Sequence, residues 1–166
     1  MPFNSQQISP LEYVVYFPSH EDIHEVRHRL EKLGTLYPVA GRAGTFIVRL
    51  STPASSGRKG WEKVRDAVGT LGEVFPVFLD DRGAPTYPVG TVMVRFASPL
   101  SDAELEKWLP QGLRVKGRNE FVPAQVALVS DHPGQRYLPD VLSDLKNQND
   151  YAVTVWPETL QAFRRG

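Results

Sequence analysis

The stretch FPVFLDDRGAPTYPVGTVMVRF, residues 75 to 96, decides how the chain is organised. It contains two apolar runs, residues 75–79 and 91–96, and between them lie an Asp-Asp-Arg-Gly sequence and the prolines Pro85 and Pro88. Short apolar runs bounded by such turn residues are typical of two β-strands. The stretch therefore either joins two strands of one sheet or ends one structural unit and begins another.

The residues before residue 80 alternate between strand and helix patterns. Runs of β-branched and aromatic residues predict strands at residues 11–17, 36–40, 45–50 and 73–79. Apolar residues at i, i+3, i+7 and i+10 predict two helices, with the faces Ile23, Val26, Leu30, Leu33 and Trp61, Val64, Val68, Leu71. Gly34 and Gly72 are expected to end these helices, and Gly41–Gly44 forms a hairpin turn. The predicted order is β-α-β-β-α-β.

The same order recurs after the stretch. Strand patterns lie at residues 91–96, 113–116, 125–129 and 151–156. Ser101 and Glu104 form a capping box before a third helix, and a fourth helix carries the apolar face Leu138, Val141, Leu142 and Leu145. We therefore predict an α+β fold of two tandem ferredoxin-like (βαββαβ) units, each an antiparallel sheet with helices on one face. The predicted divisions are a flexible segment 1–10, units at 11–84 and 90–158, and a tail at 159–166.

Composition narrows the classes of function. Nineteen basic residues balance nineteen acidic ones, so no net charge attracts the chain to nucleic acid or to an acidic membrane. There is no cysteine, which excludes disulfides, thiolate nucleophiles and cysteine metal sites. No apolar run approaches the roughly 20 residues of a membrane span, and the N-terminus lacks a secretory signal pattern. The expectation is a soluble protein that is cytoplasmic, or a piece of a secreted precursor, without cofactor, metal, nucleic acid or membrane.

The residues from Val74 to Val115 resemble a known family. VFPVFLDDRGAPTYPVGTVMVRFASPLSDAELEKWLPQGLRV is similar to the segment that precedes the catalytic domain in many subtilisin-like serine proteases. The matching features are Pro76-Val77-Phe78, the turn glycine Gly83, a strand ending in Arg95-Phe96, the helix start at residues 99–101 and Gly112-Leu113. The resemblance covers residues 74–158 best, and residues 11–73 match only as the looser N-terminal half of some prodomains.

The resemblance implies a protein-binding module that inhibits a subtilisin-like protease or assists its folding, and not an enzyme. In that family the prodomain sheet packs on two surface helices of the protease, and the C-terminal tail lies in the substrate cleft. The protease motifs Asp-Thr-Gly, His-Gly-Thr and Gly-Thr-Ser-Met do not occur in the sequence. The implied binding residues are on the outward sheet face and in the tail: Met93, Arg95, Trp156, Pro157, Glu158, Leu160 and Phe163.

The tail PETLQAFRRG, residues 157–166, has three interpretations. Pro157 suits the first position of a helix and Arg164-Arg165-Gly166 suits its end, which favours a short terminal helix with Leu160 and Phe163 packed on the sheet. An inhibitory peptide would instead lie extended and add a strand to the edge of its partner. Disorder is the third interpretation.

Two other functions share this topology. Tandem ferredoxin-like units of the ACT type bind amino acids between units, and an ACT-like small-molecule-sensing regulatory protein is the alternative hypothesis. An RRM-like RNA-binding protein needs aromatic residues on its third strand, whereas residues 42–49 offer only Phe46, which we expect to point inward.

Three local motifs are better explained without a ligand. His20, His24 and His28 share a helical face, but an exposed polar face accounts for them better than zinc binding. Ser130-Asp131-His132 is a turn, because adjacent residues cannot form a catalytic triad. The sequence GRKG at residues 57–60 lacks the ending of a phosphate-binding loop, and we expect a flexible loop there.

Overall fold

A computed structural model describes residues 7–19, 23–147 and 152–160. These residues form an α+β protein with two antiparallel sheets and four helices. The described residues up to Val89, together with Thr159 and Leu160, form one compact unit, here called the N-terminal unit. Residues from Gly90 to Glu158 form the other, the C-terminal unit. None of the helices in the described ranges is long and apolar enough to cross a bilayer.

The N-terminal unit contains one sheet and two helices. Its elements are β1 (Ile8–Tyr16), α1 (His24–Leu33), β2 (Gly34–Pro38), β3 (Thr45–Leu50), α2 (Gly57–Val68), β4 (Glu73–Leu79) and the short β5 (Pro85–Thr86). The strand order is β2-β3-β1-β4-β5, and each neighbouring pair is antiparallel.

The C-terminal sheet follows the same sequence of elements. These are β6 (Pro88–Phe96), α3 (Asp102–Trp108), β7 (Leu113–Arg118), β8 (Gln125–Ser130), α4 (Leu138–Asn147) and β9 (Ala152–Thr159). The strand order is β7-β8-β6-β9. Since β4 and β6 belong to different sheets, the stretch from Phe75 to Phe96 ends one sheet and begins another.

Both helices of the N-terminal unit pack on the same face of its sheet. The hydroxyl of Tyr13 in β1 donates to the carbonyl oxygen of Gly57 in α2 at 3.0 Å, and the guanidinium of Arg27 in α1 lies 5.5 Å from the ring of Phe46 in β3. Residues with the same side-chain direction alternate along a strand, so Val14 and Tyr16 point to the opposite face. The buried apolar side chains of the two helices are Val26, Leu30, Trp61, Val64 and Val68. Each buried side chain of this size contributes about 1.5–3 kcal/mol of stabilisation.

The start of β1 and both ends of α2 differ from the sequence prediction. β1 begins at Ile8 and not at residue 11, and the hydroxyl of Ser9 accepts hydrogen bonds from the amides of Leu11 and Glu12. α2 begins at Gly57, inside the predicted loop, because Ser56 caps it by accepting from the Lys59 amide at 3.1 Å. The helix ends at Val68, so Leu71 is not part of its apolar face and is 46% exposed.

In the C-terminal unit the structure confirms the predicted capping box but not the predicted helix in the tail. The Ser101 hydroxyl accepts from the Glu104 amide at 3.2 Å, and the Glu104 carboxylate accepts from the Ser101 amide at 3.0 Å. The predicted helix starting at Pro157 is wrong for residues 157–159, which continue strand β9. Because β9 lies at the edge of its sheet, proline is tolerated there although it has no N–H to donate.

Candidate functional site

Among the described residues, helices lie on only one face of the C-terminal sheet. On the covered face the rings of Phe96 and Trp108 meet edge to face with centroids 5.0 Å apart, and Arg118 donates to the carbonyl oxygen of Leu100 at 2.7 Å. The strand register places a second set of residues on the other side. We call this second side the helix-free face, and its residues are Thr91, Met93, Arg95, Arg114, Lys116, Gln125, Ala127 and Val129.

The helix-free face has an apolar centre and a positively charged margin. Met93 lies opposite Ala127 in the neighbouring strand, and both side chains are half-buried. Arg95, Arg114 and Lys116 are exposed. An apolar centre ringed by charged groups is the usual anatomy of a protein-binding surface.

The sequence predicted two residues of this face and missed two others. The alternation of residues 92–96 placed Met93 and Arg95 on the outward side, and the structure confirms this direction. Arg114 and Lys116 were missed, although the pattern Arg-Val-Lys in strand β7 was the available signal. Lys116 donates to the Thr91 hydroxyl at 3.3 Å, and Arg114 lies 3.9 Å from the Asp131 carboxylate.

The tail residues lie on an extended segment up to Leu160. Trp156 is half-buried, Pro157 is buried and Glu158 is exposed. They belong to β9, the strand beside the one that carries Met93. The amide of Leu160 donates to the carbonyl oxygen of Tyr87 at 2.8 Å. Phe163, which the sequence also implicated, lies outside the described residues.

A cavity of about 300 Å³ lies within the N-terminal unit. Its floor is the sheet face opposite the helices, where Thr45, Tyr16 and Glu73 form one cross-strand row and Val14 and Phe75 belong to the next. The remaining lining comes from the β2–β3 turn, from the start of β6 and from the residue after β9, namely Arg42, Ala43, Pro88, Val89 and Leu160. No local sequence pattern predicts this cavity, because its walls come from segments far apart in the chain.

The Glu73 carboxyl has an altered acidity in this cavity. Burial raises its pKa from 4.5 to about 7, since partial removal from water disfavours the charged form. Within the described part of the chain no hydrogen bond or ion pair reaches this carboxyl, and none reaches the Arg42 guanidinium. The cavity is therefore lined by a half-buried acid, Glu73, and by an exposed base, Arg42, which are not paired with each other.

A second cavity, of about 390 Å³, lies between α4 and the start of β7 in the C-terminal unit. Its charged lining residues, Arg136 and Asp144, are joined by a 2.7 Å ion pair. Because these charges already neutralise each other, this cavity offers less to a charged ligand than the first.

The described parts of the three local motifs lie in α1, in α2 and in a turn. His24 and His28 are exposed, His20 lies outside the described residues, and no group of three potential metal-ligating side chains occurs in the described ranges. The hydroxyl of Ser130 accepts from the His132 amide at 3.2 Å, as expected for a turn. Gly57 and Gly60 lie inside α2, whose first turn is capped by Ser56.

Phe46 does not offer a surface for base stacking. Its ring contacts Phe17 edge to face at 6.0 Å and lies under Arg27 of α1. It therefore faces the helices, as the sequence predicted.

Comparison with known proteins does not assign the chain to a family. No protein-family model matches the sequence, and a search of curated proteins gives no significant match.

Proposed function

We propose that the protein is a non-catalytic binding module similar to subtilase prodomains, which inhibits a subtilisin-like serine protease or assists its folding. The observation that carries this proposal is the helix-free face, with its half-buried Met93 and its exposed Arg95, Arg114 and Lys116. In the family that the sequence resembles, the equivalent side of the prodomain sheet is the side that packs on the protease.

We also propose that both units are ferredoxin-like βαββαβ units. In each unit the third strand lies between the first and the second, and the fourth pairs with the other edge of the first. That order, with two crossing helices on one face, supports an internal duplication. The strand β5 is an addition to the first sheet that the second lacks within the described residues.

The chemistry of the helix-free face suits the surface of a folded protein. Burying Met93 and Ala127 against apolar groups of a partner helix would remove apolar area from water. Arg95, Arg114 and Lys116 would pair with carboxylates of the partner at the rim of the contact, where charges mainly set orientation and association rate. The expected partner surface is therefore apolar at its centre and acidic at its margin.

The tail would make a second contact. Residues 152–159 are already extended, and an extended segment can add a strand to the edge of a protease cleft. However, the backbone hydrogen bond from Leu160 to Tyr87 holds the end of this segment on its own unit. Placing Trp156, Pro157, Glu158 and Leu160 in a cleft would require that bond to open, so we expect the helix-free face to contribute more affinity.

The test is inhibition of purified subtilisin and of a panel of subtilisin-like proteases by the full chain. Met93→Asp buries a charge in the contact, and Arg95→Glu reverses a rim charge. We expect at least a tenfold higher inhibition constant for each variant against any protease that the unmodified chain inhibits. Arg82→Glu in the exposed turn after β4 makes the same charge change elsewhere and should stay within twofold. Absence of inhibition across the panel, or equal effects of all three variants, would contradict the proposal.

A small-molecule-sensing function is the second candidate. The observation that favours it is the cavity in the N-terminal unit, where the half-buried Glu73 carboxyl has no partner among the described residues.

A further inference from the structure

We propose that the cavity of the N-terminal unit binds a small apolar monoamine, a ligand with one primary ammonium group, a short apolar body and no carboxylate. Every residue that lines the cavity belongs to the N-terminal unit. The proposal rests on the small-molecule candidate above and not on protease binding. Its failure would therefore leave the proposal for the helix-free face unchanged.

The charge argument depends on Glu73 alone. Its carboxyl lines the cavity from the start of β4, is half-buried and has no hydrogen bond or ion pair within the described chain. Burial accounts for its raised pKa, and no neighbouring cation lowers it. A carboxylate that is partly removed from water without a cationic partner is stabilised by a ligand that supplies one, through charge-assisted hydrogen bonds.

A hydroxyl beside Glu73 offers a second acceptor. Tyr16 lies directly opposite Glu73 in the strand register, and Thr45 lies opposite Tyr16 on its other side. Tyr16 is half-buried, and no hydrogen bond reaches its hydroxyl within the described chain. A primary ammonium has three N–H donors, so it can pair with the Glu73 carboxylate and also donate to the Tyr16 hydroxyl. A quaternary ammonium has no such donor, which favours a primary amine.

The remaining walls suit an uncharged body. Val14 and Phe75 occupy the next cross-strand row and are almost fully buried, and Pro88, Val89 and Leu160 add further apolar surface. An alkyl or phenyl group placed here would remove apolar area from water. A second charge at the far end of the ligand would be buried without a partner, which excludes a diamine.

The size of the cavity and the sign of its acid narrow the ligand further. A volume of about 300 Å³ lies at the lower end of the range for ligand pockets, roughly 300–1,000 Å³, so a nucleotide or a peptide segment would extend into solvent. A ligand carboxylate on the carbon that carries the ammonium would lie close to the Glu73 carboxylate, where like charges repel. An amine without a carboxylate avoids this repulsion.

Binding should depend on pH through Glu73. An alkylammonium stays charged between pH 6 and pH 8, and a pKa of about 7 leaves only a small fraction of Glu73 ionised at pH 6. The other titratable groups that line the cavity are Tyr16 on β1 and the exposed Arg42 on the turn; β3 adds the neutral Thr45, and the remaining walls are apolar. Because the ion pair needs the ionised carboxylate, affinity should be about tenfold higher at pH 8 than at pH 6.

Titration of the nitrogen-15-labelled full chain with 3-methylbutylamine, followed by amide chemical shifts, tests the proposal. At pH 8 the shifts should change at the lining residues, among them Thr45, Glu73 and Phe75. The alcohol 3-methyl-1-butanol replaces the ammonium by a neutral hydroxyl, and L-leucine adds a carboxylate to the same skeleton. Each should bind at least tenfold more weakly than the amine. The set 2-phenylethylamine, 2-phenylethanol and L-phenylalanine repeats the comparison with an aromatic body.

Glu73→Gln separates the charge from the shape of the cavity. This variant should bind the amine at least tenfold more weakly and lose the pH dependence, while its weak binding of the alcohol stays unchanged because the walls are intact. Glu106→Gln removes an exposed carboxylate of α3 outside the cavity and should have no effect.

The outcomes separate the ligand class from the existence of a site. Binding of either amine at the lining residues, with the expected losses in its alcohol and in Glu73→Gln, supports the proposal. If an alcohol or an amino acid binds as tightly as its amine, the cavity is a small-molecule site but the proposed ligand class is wrong. If neither amine changes the shifts of these amides at millimolar concentration, the proposal is wrong and the small-molecule candidate loses its support.

Discussion

Glu73 and Glu12 are two carboxylates of the same sheet with different surroundings. Glu12 is buried, but its two oxygens accept from the Tyr87 hydroxyl at 2.9 Å and pair with Arg49 at 3.4 Å. Glu73 has no such partner within the described chain, and burial alone accounts for its raised pKa of about 7. An unpaired carboxyl that is partly removed from water destabilises the fold when ionised, and such groups are found more often at functional sites.

The raised pKa of Glu73 predicts a loss of stability as pH rises. Its pKa is higher in the folded chain than the unfolded value of 4.5, so between pH 4.5 and about 7 the folded state binds more protons. The free energy of unfolding should therefore decrease over this range and level off above pH 7. The contribution is roughly 1 kcal/mol, since one pKa unit corresponds to about 1.4 kcal/mol and the group is partly exposed.

Urea unfolding at pH 5 and pH 8 measures this contribution. Glu73→Gln cannot ionise, so it should be more stable than the unmodified chain at pH 8 and nearly equal to it at pH 5. The control Glu106→Gln changes an exposed residue of α3, so this variant should have the same stability as the unmodified chain at both pH values. A pH dependence that persists unchanged in Glu73→Gln would show that other groups cause it.

At the scale of elements, the contact between α2 and β1 depends on Gly60. A Cβ built at Gly60 would lie 1.8 Å from the Tyr13 hydroxyl oxygen, and Tyr13 is fully buried with that hydroxyl bonded to Gly57. Alanine has the higher helix propensity by about 1 kcal/mol, which on its own would stabilise α2. The clash opposes this gain, because the Tyr13 ring is fully buried and its hydroxyl is hydrogen-bonded to the same helix.

Gly60→Ala should therefore destabilise the chain by about 1–3 kcal/mol, the usual cost of overpacking a core. Chemical denaturation would measure the change. Gly117→Ala in β7 is the matched control, since a Cβ at Gly117 meets no atom within 4 Å, and it should change stability little. If Gly60→Ala were neutral or stabilising, the close packing of Tyr13 on α2 would be wrong.

Sequence patterns predicted some element boundaries correctly and missed others. The contact between α2 and β1 explains why the start of α2 was missed. The bounds of β3 and β4 were predicted from β-branched runs between turns, and the start of α3 from its capping box, since these signals are local. The start of α2 was missed because Gly-Arg-Lys-Gly has the composition of a loop. Packing of Gly57 and Gly60 against β1 outweighs their low helix propensity, and only the tertiary structure contains that information.

The candidate sites also differ in whether a local sequence pattern could predict them. Met93 and Arg95 follow from alternation within one strand, so the sequence sufficed to place them on one face. The walls of the cavity around Glu73 are formed jointly by β1, β3, β4, the Arg42 turn and Leu160. A set of residues this distant in sequence has no local pattern. The end of β9 was missed for another reason, because proline suits both the first turn of a helix and an outer strand.

At the scale of the whole molecule, two sheets allow two separate tasks. The helix-free face belongs to the C-terminal unit, and the Glu73 cavity belongs to the N-terminal unit. The two surfaces can therefore be tested independently: Met93→Asp should alter protease inhibition, and Glu73→Gln should leave it unchanged.

The last prediction concerns the tail, which the resemblance places in a protease cleft. Deleting residues 161–166 removes Phe163 but leaves every described residue in place, including the Leu160–Tyr87 hydrogen bond. If the tail occupies the cleft as an added strand, this deletion should raise the inhibition constant at least tenfold, while the urea midpoint of unfolding stays unchanged. Deleting residues 157–166 is a poorer test, because it also shortens β9 and disturbs its sheet. Unchanged inhibition by the shorter deletion would mean that residues beyond Leu160 add nothing to binding and that the helix-free face carries the affinity.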